Sequence, residues 1–320
     1  MNLPNQPFPP VFFNHLYVVL DDKTYRAIQG SDFLKIAFPG LEKRATRTAA
    51  GETWYGTYFY AQENYLEFFG SATGPVMAST SRSGHWHAGA QEGWAGLAFS
   101  VDEPGGANAV RDAILNKFGY EPFHELRQLI TKDQPVNWFY NIKLAERLGL
   151  GSFESWVMEY HPEIFSYKGI PLPDSAELTR KAYLSPWNKE RPQMKAKPSQ
   201  MASAVVAHSV TPIPGTSNQP VFSNVIGATI HMDDQRANRF AEILQLLGYQ
   251  HQQNGITHSL SAHGFTLTIQ PEEAVNDGYR LSVVRLAMAR PSIAPMTFVF
   301  APRSRLVLND DLTADWYFGV

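Results

Sequence analysis

Asn14-His15-Leu16-Tyr17-Val18-Val19-Leu20-Asp21-Asp22 is a short β-type run closed by two acidic residues, and it returns twice along the chain. Its echoes are Ala95-Gly96-Leu97-Ala98-Phe99-Ser100-Val101-Asp102-Glu103 and Ile226-Gly227-Ala228-Thr229-Ile230-His231-Met232-Asp233-Asp234. An acidic pair suits a helix start, because a carboxylate there accepts free backbone N–H groups and opposes the positive end of the dipole. A helical pattern follows each run, over Tyr25 to Phe38, Ala107 to Phe118 and Ala237 to Leu247. In the third, Phe240, Ile243, Leu244 and Leu247 recur at i, i+3, i+4 and i+7 and make one apolar stripe.

Strand-like sequence comes next in every case. After the first helix we read Lys43–Thr48, Trp54–Ala61 and Tyr65–Gly70; after the second, Pro122–Ile130, Val136–Leu144 and Trp156–His161. After the third come Ile256–Ala262, Phe265–Gln270 and Tyr279–Met288, with an extra strand near Thr297–Leu308. Turn residues such as Gln62-Glu63-Asn64 and Asn276-Asp277-Gly278 separate them. The chain is therefore expected to be α+β, with the order β-α-β-β-β appearing three times. Residues 171–220 hold Pro192, Pro198, Pro212, Pro214 and Pro220 and read as a Pro-rich linker with a short helix near Ser175–Tyr183. It divides residues 11–170, two paired units around a cleft, from residues 221–320, a third unit.

Composition narrows the function. The 320 residues carry a formal charge of −3 with histidine neutral, which gives no basic face for nucleic acid or an anionic membrane. No apolar run approaches the roughly 20 residues that span a bilayer. Residues 1–10 lack the charged-then-apolar order of a signal peptide, and a cytoplasmic setting is the default. With no cysteine, disulfides, thiolate catalysis and cysteine-held metals are excluded. Phosphate-loop, nucleophile-elbow, His-Glu-x-x-His and dinucleotide-binding glycine motifs are absent.

Side chains alternate across a strand, so parity sorts the two faces. Leu16, Val18 and Leu20 share one face with the helix; His15, Tyr17 and Val19 share the other. The second run sets Leu97, Phe99 and Val101 against Gly96, Ala98 and Ser100. The mixed face suits the inside of a curved sheet. There Tyr17, Trp54, Tyr60 and Ser100 are expected to line a substrate cleft, with Tyr58 as a phenolic proton donor. Glu67 and Glu159 lie within Tyr65-Leu66-Glu67-Phe68-Phe69 and Trp156-Val157-Met158-Glu159-Tyr160. A carboxylate in so apolar a setting needs a partner. For Glu67 that is a divalent cation shared with His15, or Arg44 or Arg47 on a neighbouring strand; for Glu159 it is the same cation or a helix Arg or Lys. His with Glu suits Fe, Mn, Ni or Zn.

These residues give the chain a resemblance to the vicinal oxygen chelate superfamily, which includes glyoxalase I, extradiol dioxygenases, fosfomycin-resistance enzymes and bleomycin-binding proteins. The resemblance implies paired βαβββ units around a U-shaped cleft, with metal ligands from first and fourth strands and open positions that chelate substrate oxygens. Carried over by position, the ligands are His15 and Glu67 from the first unit and Glu159 from the second, Glu159 doubling as general base. Gly96 stands where a second histidine is usual, so His161 or one of the pair His85 and His87 is the expected substitute. Gly227 and the carboxylate-free Leu281-Ser282-Val283-Val284 leave the third unit without a metal, free to enlarge the fold, cover the cleft or mediate self-association. The expected function is a metal-dependent enzyme, oxygenase or lyase/isomerase, acting on a small aromatic or apolar substrate. The alternative is a metal-free protein of the same fold that binds or sequesters a small molecule.

Overall fold

The computed structural model describes residues 8–38, 40–71, 91–144, 153–172, 178–188, 221–271, 279–290 and 295–319. The opening run forms β1 (Val11–Leu20), and Asp21 ends it as expected, its carboxylate accepting from Thr24 N at 3.0 Å to start α1 (Asp22–Gly30). The helix anticipated over Tyr25 to Phe38 is two. Ser31 stops the first and caps α2 (Asp32–Ala37), its hydroxyl accepting from Leu34 N. Then follow β2 (Gly40–Arg47), β3 (Thr53–Tyr60), β4 (Tyr65–Gly70), β5 (Ala95–Val101), α3 (Gly106–Phe118), β6 (His124–Thr131), β7 (Gln134–Lys143) and β8 (Phe153–Tyr160). Two short helices, α4 (Pro162–Tyr167) and α5 (Arg180–Asn188), lead to the C-terminal half. The second helix was expected five residues earlier; residues 173–177 and most of the 171–220 linker lie outside the described residues.

The first eight strands make one sheet in the order β2-β3-β4-β1-β5-β8-β7-β6. Its centre is the antiparallel pair β1–β5, flanked by the parallel pairs β1–β4 and β5–β8, so two βαβββ units join edge to edge. The curved-sheet α+β fold expected from the repeats is borne out. The far edges also meet. A bridge pairs Thr48 with Leu129, Ala49 N donates to Gln128 O, and the fully buried Glu52 carboxylate takes the Arg127 guanidinium. The sheet thus closes on itself around its inner face, which we call the cup.

The expectation of a lone third unit is corrected. The C-terminal half is a second complete eight-stranded sheet, built from β9 (Val221–Met232), α6 (Asp234–Leu246), β10 (Gln250–Asn254), β11 (Thr257–Ala262), β12 (Phe265–Pro271), β13 (Leu281–Arg290), β14 (Met296–Val299), β15 (Ser304–Leu308) and β16 (Thr313–Phe318). Its order is β10-β11-β12-β9-β13-β16-β15-β14, position for position that of the first. Two physical reasons hid it. The edge strand β10 reads Gln-His-Gln-Gln-Asn, with no apolar alternation to mark it. The last four strands also lack a crossover helix among the described residues. As a result β16 runs antiparallel to β13, whereas β12 is parallel to β9.

The two sheets share one apolar core on their outer faces. Phe13 stacks on Phe265 at 4.0 Å, Phe38 on Phe222 at 3.9 Å, and Trp316 meets Phe68 edge-on at 4.8 Å. The turn Gln62-Glu63-Asn64 does more than join strands. Asn64 exchanges two hydrogen bonds with the Val225 backbone, at 2.9 and 2.8 Å, while Gln62 N donates to Ser223 O. No helix among the described residues is long and apolar enough to cross a membrane.

Candidate small-molecule site

With their outer faces buried together, each sheet keeps its inner face for other uses. In the first, β1 and β4 set the register: His15 pairs with Tyr65, and Tyr17 with Glu67. His15 and Glu67 are thus brought together as expected, His15 Nε2 lying 4.0 Å from Glu67 Oε1. The imidazole stacks on Tyr65 (centroids 4.4 Å apart) and meets Trp156 edge-on (5.4 Å). Its other nitrogen is committed. Nδ1 lies 2.8 Å from Asn14 Oδ1, an atom that only accepts, so Nδ1 carries the proton and Nε2 presents a lone pair toward Glu67.

Burial sets the charge state of this pair. It pushes His15 down to about 3, the Arg44 charge adding to the effect. It pushes Glu67 up to about 8, against the opposing pull of Arg44 and a hydrogen bond from Tyr65. At neutral pH the site holds a neutral base facing a neutral acid. Arg44 does not pair with Glu67: it lies 3.6 Å from Glu42, donates to Tyr60 OH at 2.9 Å and sits over the Tyr58 ring.

The space between them is small. A cavity of about 70 Å³ is lined by His15, Tyr17, Trp54, Tyr65, Glu67, Phe69 and, from the second unit, Arg127, Trp138, Asn141, Lys143, Glu154 and Trp156 among others. Tyr17 and Trp54 are among the residues lining this cavity. Tyr60 and Ser100 lie on the same inner face but are not among those lining it; both are buried. Tyr58 is withdrawn as well, its hydroxyl accepting from Trp54 Nε1 at 2.8 Å and its ring fully buried. The rings expected to leave a wide cleft pack on one another instead. Tyr58, Tyr60, Tyr65, Trp138 and Tyr160 form a single cluster with Phe165, Tyr183 and Leu184 from the α4–α5 segment, which plugs one end of the cup.

Glu159 is not brought to the pair. Its carboxylate accepts from Gly105 N and Ala107 N, both at 2.9 Å, and so caps α3 from the opposite face of β8. This is the cap expected of Asp102, which is taken up by the Arg180 guanidinium at 2.6 Å. The register explains the displacement. Ala98 pairs with Trp156 as Tyr17 pairs with Glu67, so Trp156 is the true counterpart of Glu67 and Glu154 that of Tyr65. Counting parity from Glu154 finds the cup residues Glu154, Trp156 and Met158; matching on an apolar-Glu-apolar pattern does not. His161 caps α4, its Nδ1 accepting from Glu163 N, away from the cup. His85 and His87 lie outside the described residues.

A transition-metal centre on this scaffold asks for three or four protein donors. Among the described residues no group of three or more His, Asp or Glu side chains gathers to hold an ion, and the Arg44 charge acts on both His15 and Glu67. The residues do not fit that centre. They fit a group bridging Nε2 and the Glu67 carboxyl: 4.0 Å is too long for a direct hydrogen bond.

Comparisons with known proteins add a family. A model described as a family of unknown function (DUF5829) matches residues 13–318. No curated protein matches the chain significantly. Among solved structures, a hypothetical protein from Staphylococcus aureus is similar at 10% identity and a TM-score of 0.48, over 90% of this chain and 95% of that one. BphC, a halotolerant catechol dioxygenase, matches at 8% identity and 0.37, over 95% and 84%. A fusion of a xylose isomerase-like TIM barrel with a 4-hydroxyphenylpyruvate dioxygenase matches at 11% and 0.42, over 91% of this chain and 40% of that one.

Proposed function

We propose that this chain, which belongs to the DUF5829 family of unknown function, binds a small hydroxyl-bearing molecule of a few heavy atoms in the cup of its first sheet. One observation carries the reading: His15 Nε2 and Glu67 Oε1 face each other across 4.0 Å inside a cavity of about 70 Å³. A hydroxyl set between them donates to the Nε2 lone pair and accepts from the protonated Glu67. Both of its hydrogen-bonding capacities are then met in a setting where an unmet one costs about 1–3 kcal/mol. The volume corresponds to roughly two waters at about 30 Å³ each. That favours a compact ligand over the aromatic substrate suggested by the sequence. Held this way, the hydroxyl lies between a base and an acid, the arrangement through which a proton passes.

The test is nitrogen NMR of the histidine rings during titration with methanol and ethylene glycol. Saturable movement of the His15 Nε2 resonance, absent in Glu67→Leu, which keeps the bulk but has no donor, is expected. A resonance that does not move with either alcohol overturns the proposal. Elemental analysis of protein purified without chelator supplies the opposing outcome. A stoichiometric transition metal that disappears in His15→Ala returns the site to the metal-dependent enzyme of the sequence reading.

A further inference from the structure

The second sheet answers to different chemistry, and we infer that its open inner face is a binding site for a neutral, multiply hydroxylated ligand such as a sugar ring. The registers of the two sheets compare directly. Where the first pairs His15 with Tyr65 and Tyr17 with Glu67, the second pairs Gly227 with Thr266 and Thr229 with Thr268. One imidazole, two phenols and a carboxyl give way to a glycine and three threonines. A Cβ on Gly227 would come within 3.1 Å of the Thr266 carbonyl oxygen, so the floor stays bare where these strands approach.

Space opens accordingly. Among the described residues no bridge ties β10 to β14, and the inner face is a groove of about 790 Å³ against about 70 Å³ in the cup. Ligand pockets commonly measure roughly 300–1,000 Å³. The groove has room for one or two sugar rings.

The lining fixes the class of occupant. Hydroxyls donate and accept alike, and Ser261 Oγ and Thr266 Oγ1, 3.0 Å apart, share one hydrogen bond while keeping capacity for more. On the adjoining strands β13 and β16, Arg285 Nε lies 3.8 Å from Asp315 Oδ1, and Asn309 Nδ2 holds the other Asp315 oxygen at 3.0 Å. Arg285 Nη2 also lies 3.5 Å from Asp311 Oδ2, so the guanidinium is shared by two carboxylates and leaves no free positive charge for a bare anion. Neighbouring hydroxyls match this arrangement, one donating to a carboxylate and one accepting from the guanidinium.

The competing account is a sheet face that merely meets water, as one side of an antiparallel sheet often does. Such faces carry long charged side chains to stay soluble and unpaired. Neither lysine nor glutamate is among the described groove-lining residues. Short hydroxyls and one guanidinium shared by two carboxylates shape a recess rather than a solvated surface.

Saturation-transfer NMR on the full chain with D-glucose, maltotriose and myo-inositol tests the inference. Thr268→Phe fills the floor, and Asp315→Asn keeps the shape while removing the charge. Saturable transfer to at least one of the three is expected, weakened tenfold or more in both variants, with the tryptophan emission of the first cup unchanged as evidence of folding. No transfer to any of the three, or transfer that survives both variants, overturns it. The readout does not involve His15 or Glu67, so it stands or falls separately from the proposed function of the cup.

Discussion

Replacing Glu67 with Gln should reshape the dependence of stability on pH. In the folded chain Glu67 holds its proton up to about 8, against an ordinary value of 4.5. Between those values the folded state binds one more proton than the unfolded state, so stability falls as pH rises. His15 works the other way: ordinarily 6.5, it is held down to about 3, and between those values stability rises with pH. From 4.5 to 6.5 the two slopes oppose and cancel. Above 6.5 only Glu67 remains active. One proton is worth about 1.4 kcal/mol per pH unit, so this residue alone removes about 2 kcal/mol between pH 6.5 and 8. Glutamine keeps the shape and cannot ionise. The variant should therefore lose little over that interval while the parent chain loses about 2 kcal/mol. Urea unfolding followed by tryptophan emission at the two pH values measures it. Parallel curves for the two proteins would refute the reasoning. So would a parent chain whose stability stays flat toward pH 8, as it would if a cation kept Glu67 ionised.

Three other perturbations test the frame around the site. Glu159→Ala should cost about 1–2 kcal/mol through the lost α3 cap, seen as a lower urea midpoint with no effect on the His15 resonances. Arg127→Met leaves the fully buried Glu52 without its guanidinium; a loss of about 3–5 kcal/mol is expected, and a near-neutral result would show that the sheet edges are not held there. Asn64→Ala removes both hydrogen bonds to the Val225 backbone and should cost about 1–3 kcal/mol, with faster amide exchange at Val225 as its local signature.

How far the sequence reveals this molecule depends on what each signal encodes. The runs ending at Leu20, Val101 and Met232 mark first strands because alternation and an acidic close are local properties. His15 and Glu67 meet because both share parity and their strands are neighbours. Glu159 misleads for the same reason that Trp156 is overlooked: the apolar context of a carboxylate does not say which face it takes, and only pairing with Ala98 does. Asp102 and Glu159 exchange their expected tasks, one going to Arg180 and the other to the α3 N-terminus. That exchange depends on contacts 78 and 54 residues apart, which no window of sequence contains. The plugging of the cup by Phe165, Tyr183 and Leu184 is equally non-local, and so the aromatic face that promises a wide cleft is spent on packing.

The shared outer core has a practical consequence for dissecting the chain. Phe13, Phe38 and Phe68 each take a stacked or edge-on partner from beyond residue 220. A fragment ending before Val221 would present those rings to water as one continuous greasy wall. Neither half should therefore be obtained alone in good yield. Expressed together as two separate polypeptides, they carry complementary surfaces and the Asn64 latch, and they should find each other without the covalent link, which makes this protein a natural split reporter.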